Sequence, residues 1–251
     1  MHKILSCILD VGEQMVLCGA EIHRVEDSIE RMCNAYEIQR VDVFSITSSL
    51  VVTVFMKNGE RYTETRRMNG AGTDMERLHR LNQLSRKICT DSMSEEEIKI
   101  EYRKCLESKP YPTWLVCFSY GMIAAAFTAF FGGSLKDIVV SPMIGILVSF
   151  LVQLSDRFSF NRILSKFLCS FLVTALSYGA WKIGVIPHVD MVIIGNIMVL
   201  IPGIGLTNAI RDLFVGDNIA GLLRLIEAGL LALAIGAGYF LFIWMTGGAA
   251  L

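Results

Sequence analysis

The chain has 251 residues, is 53% hydrophobic, and carries a formal net charge of -1. That near-neutral balance removes any electrostatic case for nucleic acid or another polyanion as a partner. The charge is unevenly placed. Of 23 Lys and Arg, 16 lie in residues 1–110, as do 18 of 24 Asp and Glu, which leaves 13 charges for the remaining 141 residues. A cytoplasmic α+β domain over 1–110 and a transmembrane helical domain over 111–251 are therefore expected. The seven cysteines are scattered, odd in number and form no CxxC pair. They read as reduced thiols rather than a disulfide framework or a zinc site, and no metal or cofactor is expected.

From the N-terminus, MHKILSCILDVGEQM meets Asp10 and Glu13 too early for a secretory signal, so the front domain is expected to stay inside the cell. Residues 4–36 read as two helices broken near Cys18-Gly19, the second burying Val25, Ile29, Met32 and Cys33. In GAEIHRVEDSIER, His23 stands three and four residues before Glu26 and Asp27. His23 and Glu26 are candidates for a cytoplasmic gate or pH sensor; a polar helix start docked on its neighbours is the plainer reading. VDVFSITSSLVVTVFM reads as one strand with Phe44, Ile46, Leu50, Val52, Val54 and Met56 on one face. Asn58-Gly59 predicts a hairpin turn into RYTETRRM. Asp74 can cap a helix that buries Met75, Leu78, Leu81, Leu84 and Ile88. Ser94 and Glu97 have capping-box spacing on the next helix, which Pro110 and Pro112 should end. No phosphate loop, HExxH, nucleophile elbow or dinucleotide fingerprint occurs, so the chain is not expected to be an enzyme.

A bilayer core of about 30 Å needs roughly 17–25 apolar residues per helix. Five spans are predicted, over 114–131, 138–154, 163–186, 189–206 and 219–245. Arg157, Arg162, Lys166 and Arg211 fall in loops on the side of the front domain and only Lys136 and Lys182 on the other, which places the C-terminus outside. Gly121, Ala125, Ala129 and Gly133, and likewise Ala228, Ala232 and Gly236, recur every four residues and predict close helix packing.

The fourth span runs into MVLIPGIGLTNAIRDLFVGD. Pro202 should kink or end it, and Gly203 and Gly205 let the backbone bend. In lipid, backbone groups freed by such a break need protein or a watery cavity around them. A helix restarting at Leu206 or Thr207 would point its N–H groups at that cavity, and such ends attract carboxylates. Pro202, Gly203, Gly205, Thr207, Asn208 and Arg211 are therefore the candidate substrate site, with the guanidinium matched to a carboxylate. Asp212 and Asp217 can balance that arginine or carry a proton. Arg224 and Glu227, three apart, have the spacing to pair. Ionisable groups in spans usually mark a pathway, so Glu227 is the first proton-coupling candidate, with Asp212, Asp217 and Asp190 beside it and Asn196 behind. The plain alternative is a cytoplasmic loop obeying the positive-inside rule.

GAEIHRVEDSIER and PGIGLTNAIRDLFVGDNIAGLLRLIEA, with a soluble front before about five spans, together resemble the threonine/serine exporter family of the ThrE type. Because the chain stops at Leu251, it is similar to the larger, YjjP-type component of a split exporter that acts with a small YjjB-type membrane subunit. The resemblance implies secondary export of small carboxylate metabolites (threonine, serine or succinate) from the cytoplasm across the cell membrane, driven by the proton gradient. It assigns no residue roles. A membrane-anchored scaffold or sensor is the second reading. An intramembrane hydrolase built on His23 or a cysteine would lack an activated nucleophile.

Overall fold

A computed structural model of the chain describes residues 2–70, 72–107, 111–158 and 160–247. In order, the elements are α1 (His2–Leu17), α2 (Ile22–Asn34), β1 (Ile38–Ile46), β2 (Ser49–Met56), β3 (Arg61–Arg67), α3 (Met75–Asp91), α4 (Glu95–Leu106), α5 (Thr113–Phe130), α6 (Leu135–Arg157), α7 (Arg162–Lys182), α8 (Val189–Met198), α9 (Gly203–Val215) and α10 (Asn218–Met245). They divide into two compact units. The first joins Met1–Lys109 to Ile204–Ile226, and the second joins Pro110–Gly203 to Glu227–Leu251. Pro110 and Leu251 lie outside the described residues.

In the first unit α1 and α2 supply the largest apolar faces. Leu5, Ile8, Leu9 and Met15 of α1 are buried with Ile22, Val25, Ile29, Met32 and Cys33 of α2, and Ala220 joins the same core. Each fully buried Leu, Ile or Met stabilises by about 1.5–3 kcal/mol relative to exposure. The sheet is antiparallel in the order β1-β2-β3. It corrects the expected single strand over 41–56, because the chain turns at Thr47-Ser48 and makes two strands of it. The turn resets the side-chain alternation. Val41 and Val43 lie opposite Val54 and Val52, whereas Phe44 lies opposite Val51 on the other face and is exposed. Asp74 caps α3 by accepting the Arg77 N–H, and the Ser94/Glu97 capping box opens α4, both as expected. Met75, expected on the buried face of α3, is exposed; Leu81, Leu84, Ser85 and Ile88 form that face.

In the second unit α5, α6 and α7 are long and apolar enough to cross a membrane, as is α10. The 22–28% of residues buried in their apolar windows leaves mostly oily surface outward, an arrangement suited to lipid rather than water. The expected span over 189–206 is not one helix. It stops at Met198, resumes at Gly203, and is bent by 59° across the break, so the candidate spans among the described residues number four, or five if the bent pair counts as one. Pro202 has no N–H to give and disfavours helical geometry at Ile201. The intervening residues close short turns instead, Leu200 N–H to Ile197 O and Ile201 N–H to Met198 O. The restart falls at Gly203, directly after the proline, three or four residues before the expected Leu206 or Thr207.

Helix packing corrects the small-residue stripes. The buried face of α5 is Gly121, Ala124 and Thr128, while Ala129 is exposed. On α10, Ala228, Leu231, Ala234 and Ile235 are buried, and Gly236 faces open space. At 3.6 residues per turn a strict spacing of four drifts by about 40° each step, so such a stripe winds off the contact. Gly121 lies against Pro142 and Gly145 against Ala124 and the Tyr120 carbonyl, the close approach of α5 and α6.

Candidate functional site

The first unit brings the two motifs GAEIHR and TNAIRDLFVGD into contact. Helix α1 ends on Gly19 at φ +91, with Gly19 N–H donating to Val16 O and Ala20 N–H to Met15 O. Glycine is the residue that takes this left-handed turn without strain, and the turn presents the carbonyls of Gly19 and Ala20 outward. Asn208 Nδ2 donates to Gly19 O at 3.0 Å, and Arg224 Nη2 to Ala20 O at 2.6 Å. Arg211 Nη1 meets Glu21 Oε1 at 2.8 Å. Glu21, at the N-cap of α2, offers no side-chain cap, and the Asp212 carboxylate lies near the Ile22 N–H at that helix start. A carboxylate there also faces the positive end of the helix dipole. Arg224 Nη1 lies 3.1 Å from Asp212 Oδ2, and both side chains are nearly closed from solvent. Arg224 thus takes Asp212 rather than the expected Glu227, and Arg211 takes Glu21 rather than Asp212. Gly216, at φ +104, ends α9 in the same turn type as Gly19, with Asp217 N–H donating to Asp212 O.

Beside this elbow Glu26 accepts the Ser45 N–H at 2.6 Å. Burial pushes its carboxyl above the ordinary range; the Ser45 bond opposes that, and the neighbouring Asp217 charge adds to it. Asp217 Oδ2 is itself buried without a hydrogen-bond partner among the described residues. His23 is exposed on the first turn of α2. Burial pushes the Cys18 thiol up to about 11 and Cys33 to about 12, so both stay protonated at neutral pH and neither is an activated nucleophile.

The candidates divide between the units. Gly205, Thr207, Asn208, Arg211, Asp212, Asp217, His23 and Glu26 belong to the first, and Pro202, Gly203, Asp190 and Glu227 to the second. Glu227 Oε1 lies 3.9 Å from Arg162 Nη1, both half-exposed, at a pocket with Asn161, Ile163, Leu230 and Leu231. Asp190 is exposed on the first turn of α8. Of two buried polar groups in the second unit, sequence reasoning missed the first and named only Asn196 of the second. Asp137, fully buried, pairs with His188 at 2.9 Å. Thr128, Ser141 and Asn196, also fully buried, form a hydrogen-bonded cluster. The S-x-x-D box at Ser134 was the available signal for the first; the second shows only as single polar residues inside apolar runs.

Apolar helices with an interrupted pair, carried with a small α+β unit, define a multi-pass membrane protein. The chain belongs to the threonine/serine exporter family: the family model described as "Putative threonine/serine exporter" matches residues 6–246. It is similar to a probable succinate transporter subunit YjjP of Klebsiella aerogenes, 25% identical over 232 residues that cover 91% of this chain and 88% of the relative. The YjjP subunit of Escherichia coli K12 is 25% identical over 97% of this chain and 95% of its own length. A probable threonine/serine exporter of Mycobacterium tuberculosis is 22% identical over 94% of this chain and 45% of the relative. No solved structure matches.

Proposed function

We propose that the chain is one subunit of a secondary exporter that moves a small carboxylate metabolite, a hydroxy amino acid or a dicarboxylate, out of the cytoplasm in exchange for protons. Family membership and relatives named as transporter subunits support the class. A small YjjB-type membrane subunit is the proposed partner. Loop charges support a cytoplasmic front domain with the C-terminus outside.

One observation supports the substrate site most directly: Arg211, on the helix that follows the break, already holds a carboxylate, that of Glu21. The Arg211 side chain is 60% exposed while that of Glu21 is 15% exposed, so the guanidinium is open to solvent although its partner is largely enclosed. A substrate carboxylate can therefore compete for the guanidinium. Exchange would free Glu21, the residue that joins the α1 turn to α2, and so link binding to the elbow. Asn208 and Thr207 stand on the same helix as further hydrogen-bonding groups, Pro202, Gly203 and Gly205 shape the break before it, and Glu227 with Asp212, Asp217 and Asp190 are the proposed proton carriers. His23 and Glu26 are the proposed cytoplasmic sensor.

The use of Asn208 and Arg224 in internal hydrogen bonds favours the second reading, a non-transporting scaffold or sensor in which the elbow is only a structural joint. Efflux separates the two. Cells loaded with a threonine-containing dipeptide, or accumulating succinate, should release threonine or succinate faster when the chain and its small partner are both present. Equal efflux with and without the chain would support the scaffold.

A further inference from the structure

We propose that His188 and Asp137 form a proton-operated latch on the transport path, with Nε2 of His188 as the atom that takes the proton. The inference rests on the exporter reading and deepens it by naming where the driving ion is sensed.

Asp137 is fully buried at the third residue of α6, within the apolar unit. Four donors converge on its carboxylate. Ser134 N and Oγ reach Oδ2 at 2.7 and 2.8 Å, His188 Nδ1 reaches Oδ2 at 2.9 Å, and His188 N reaches Oδ1 at 3.3 Å. A carboxylate so surrounded only accepts, so Nδ1 carries the hydrogen and the neutral ring keeps its lone pair on Nε2. The His188 side chain is 52% exposed, which opens Nε2 to water. Protonation there turns an imidazole–carboxylate pair of net charge -1 into an imidazolium–carboxylate pair of net charge zero. One proton is gained from the water and nothing else changes hands. The hydrogen bond becomes fully ionic on both sides and so stronger.

Position gives this bond its leverage. Asp137 opens α6, and His188 is the residue at which α8 begins. The pair ties the starts of two helices, and α8 is the one that ends at the Pro202 break. Farther along the same seam the contacts are again polar. Thr128 Oγ1 donates to Ser141 Oγ at 2.7 Å, and Asn196 Nδ2 donates to the same oxygen at 2.9 Å. Asn196 Oδ1 is buried with no hydrogen-bond partner among the described residues, so this seam holds an acceptor that a second arrangement could satisfy. Of the charged groups on the neighbouring helices, Lys136 on α6, Lys182 on α7 and Asp190 on α8 are exposed, Asp156 and Arg157 stand at the far end of α6, Arg162 and Lys166 stand at the start of α7, and α5 carries no Asp, Glu, Lys, Arg or His.

The test uses the full chain in lipid with spin labels at V139C and I194C, exposed positions on α6 and α8. The wild-type distance distribution should narrow between about pH 8 and about pH 5, the range in which histidine switches charge. In H188Q it should not respond. A wild-type distribution that ignores pH, or an H188Q response equal to wild type, overturns the latch. Efflux of labelled serine and succinate supplies the second arm: the wild-type rate should follow external pH, and H188Q should keep export with a shallower dependence. If the wild-type protein moves neither probe the exporter reading fails, and the distance arm still decides the latch by itself.

Discussion

At the scale of single residues, magnitude separates the two arginines of the elbow. Arg224 and Asp212 are both closed from water, so removing one would leave the other as an unpaired buried charge, a loss of about 3–5 kcal/mol. Arg211 instead faces solvent while its partner Glu21 is largely enclosed, so its guanidinium stays open to water. Pairing of this kind was not legible in the sequence. Spacing suggested Arg224 with Glu227 because they are three apart on one helix, whereas the partner that prevailed, Asp212, lies beyond the turn at Gly216. Glu21 is 190 positions from Arg211, a distance that no local rule bridges. What the sequence did carry was the composition of the elbow, since both partners of each contact lie inside the two motifs singled out from it.

Glu26 gives a prediction at this scale. Its carboxyl holds its proton more tightly in the folded chain than in the unfolded one, because burial penalises the charge. The folded state therefore binds more protons between the ordinary value of 4.5 and the raised one, and stability falls as pH rises through that window. Burial pushes Glu13 the same way, so Glu26 accounts for part of the slope. Glu26→Gln keeps an oxygen to accept the Ser45 N–H and should reduce the fall in melting temperature of the full-length chain across the window. Parallel wild-type and variant curves would remove Glu26 from the account.

At the scale of elements, long periodic segments were readable and interruptions were only half so. The face of α2, the caps at Asp74 and Ser94, and the extent of α10 follow from periodicity, capping chemistry and hydropathy. Thr47-Ser48 is not legible as a turn because its β-branched surroundings continue the strand pattern, and neither residue announces a turn as Asn58-Gly59 does. The Pro202 break was legible, yet its exact restart was not, because proline marks where a helix cannot continue and leaves the next start to the packing of α9. Two glycines in the first unit provide a paired test. Gly19 and Gly59 both hold positive φ, but a Cβ at Gly19 would lie 2.8 Å from the Gly72 carbonyl, whereas at Gly59 it would meet nothing. Gly59→Ala should cost about 1–2 kcal/mol of conformational strain. Gly19→Ala should cost that and the backbone displacement as well, and lower the melting temperature distinctly more. Equal losses would mean that Gly72 yields freely.

At the scale of the whole molecule, the division of charge between a polar front and an apolar back was visible in composition. The membership of residues 204–226 in the first unit was not. That stretch is apolar enough to read as the end of one span and the start of another. Its small and polar residues, Asn208, Arg211, Asp212, Ala220 and Arg224, turn one side of the α9–α10 pair toward α1 and α2. The proposed export site accordingly centres on the Arg211 guanidinium, whose present partner is the Glu21 carboxylate of the same unit.

Efflux through Arg211→Ala tests that claim most directly. The exchange of Glu21 for a substrate carboxylate requires the guanidinium, so the variant should lose export of threonine, serine or succinate while its amount in the membrane stays at the wild-type level. Undiminished efflux from that variant would contradict the account, since the metabolite would then cross without the group proposed to receive it.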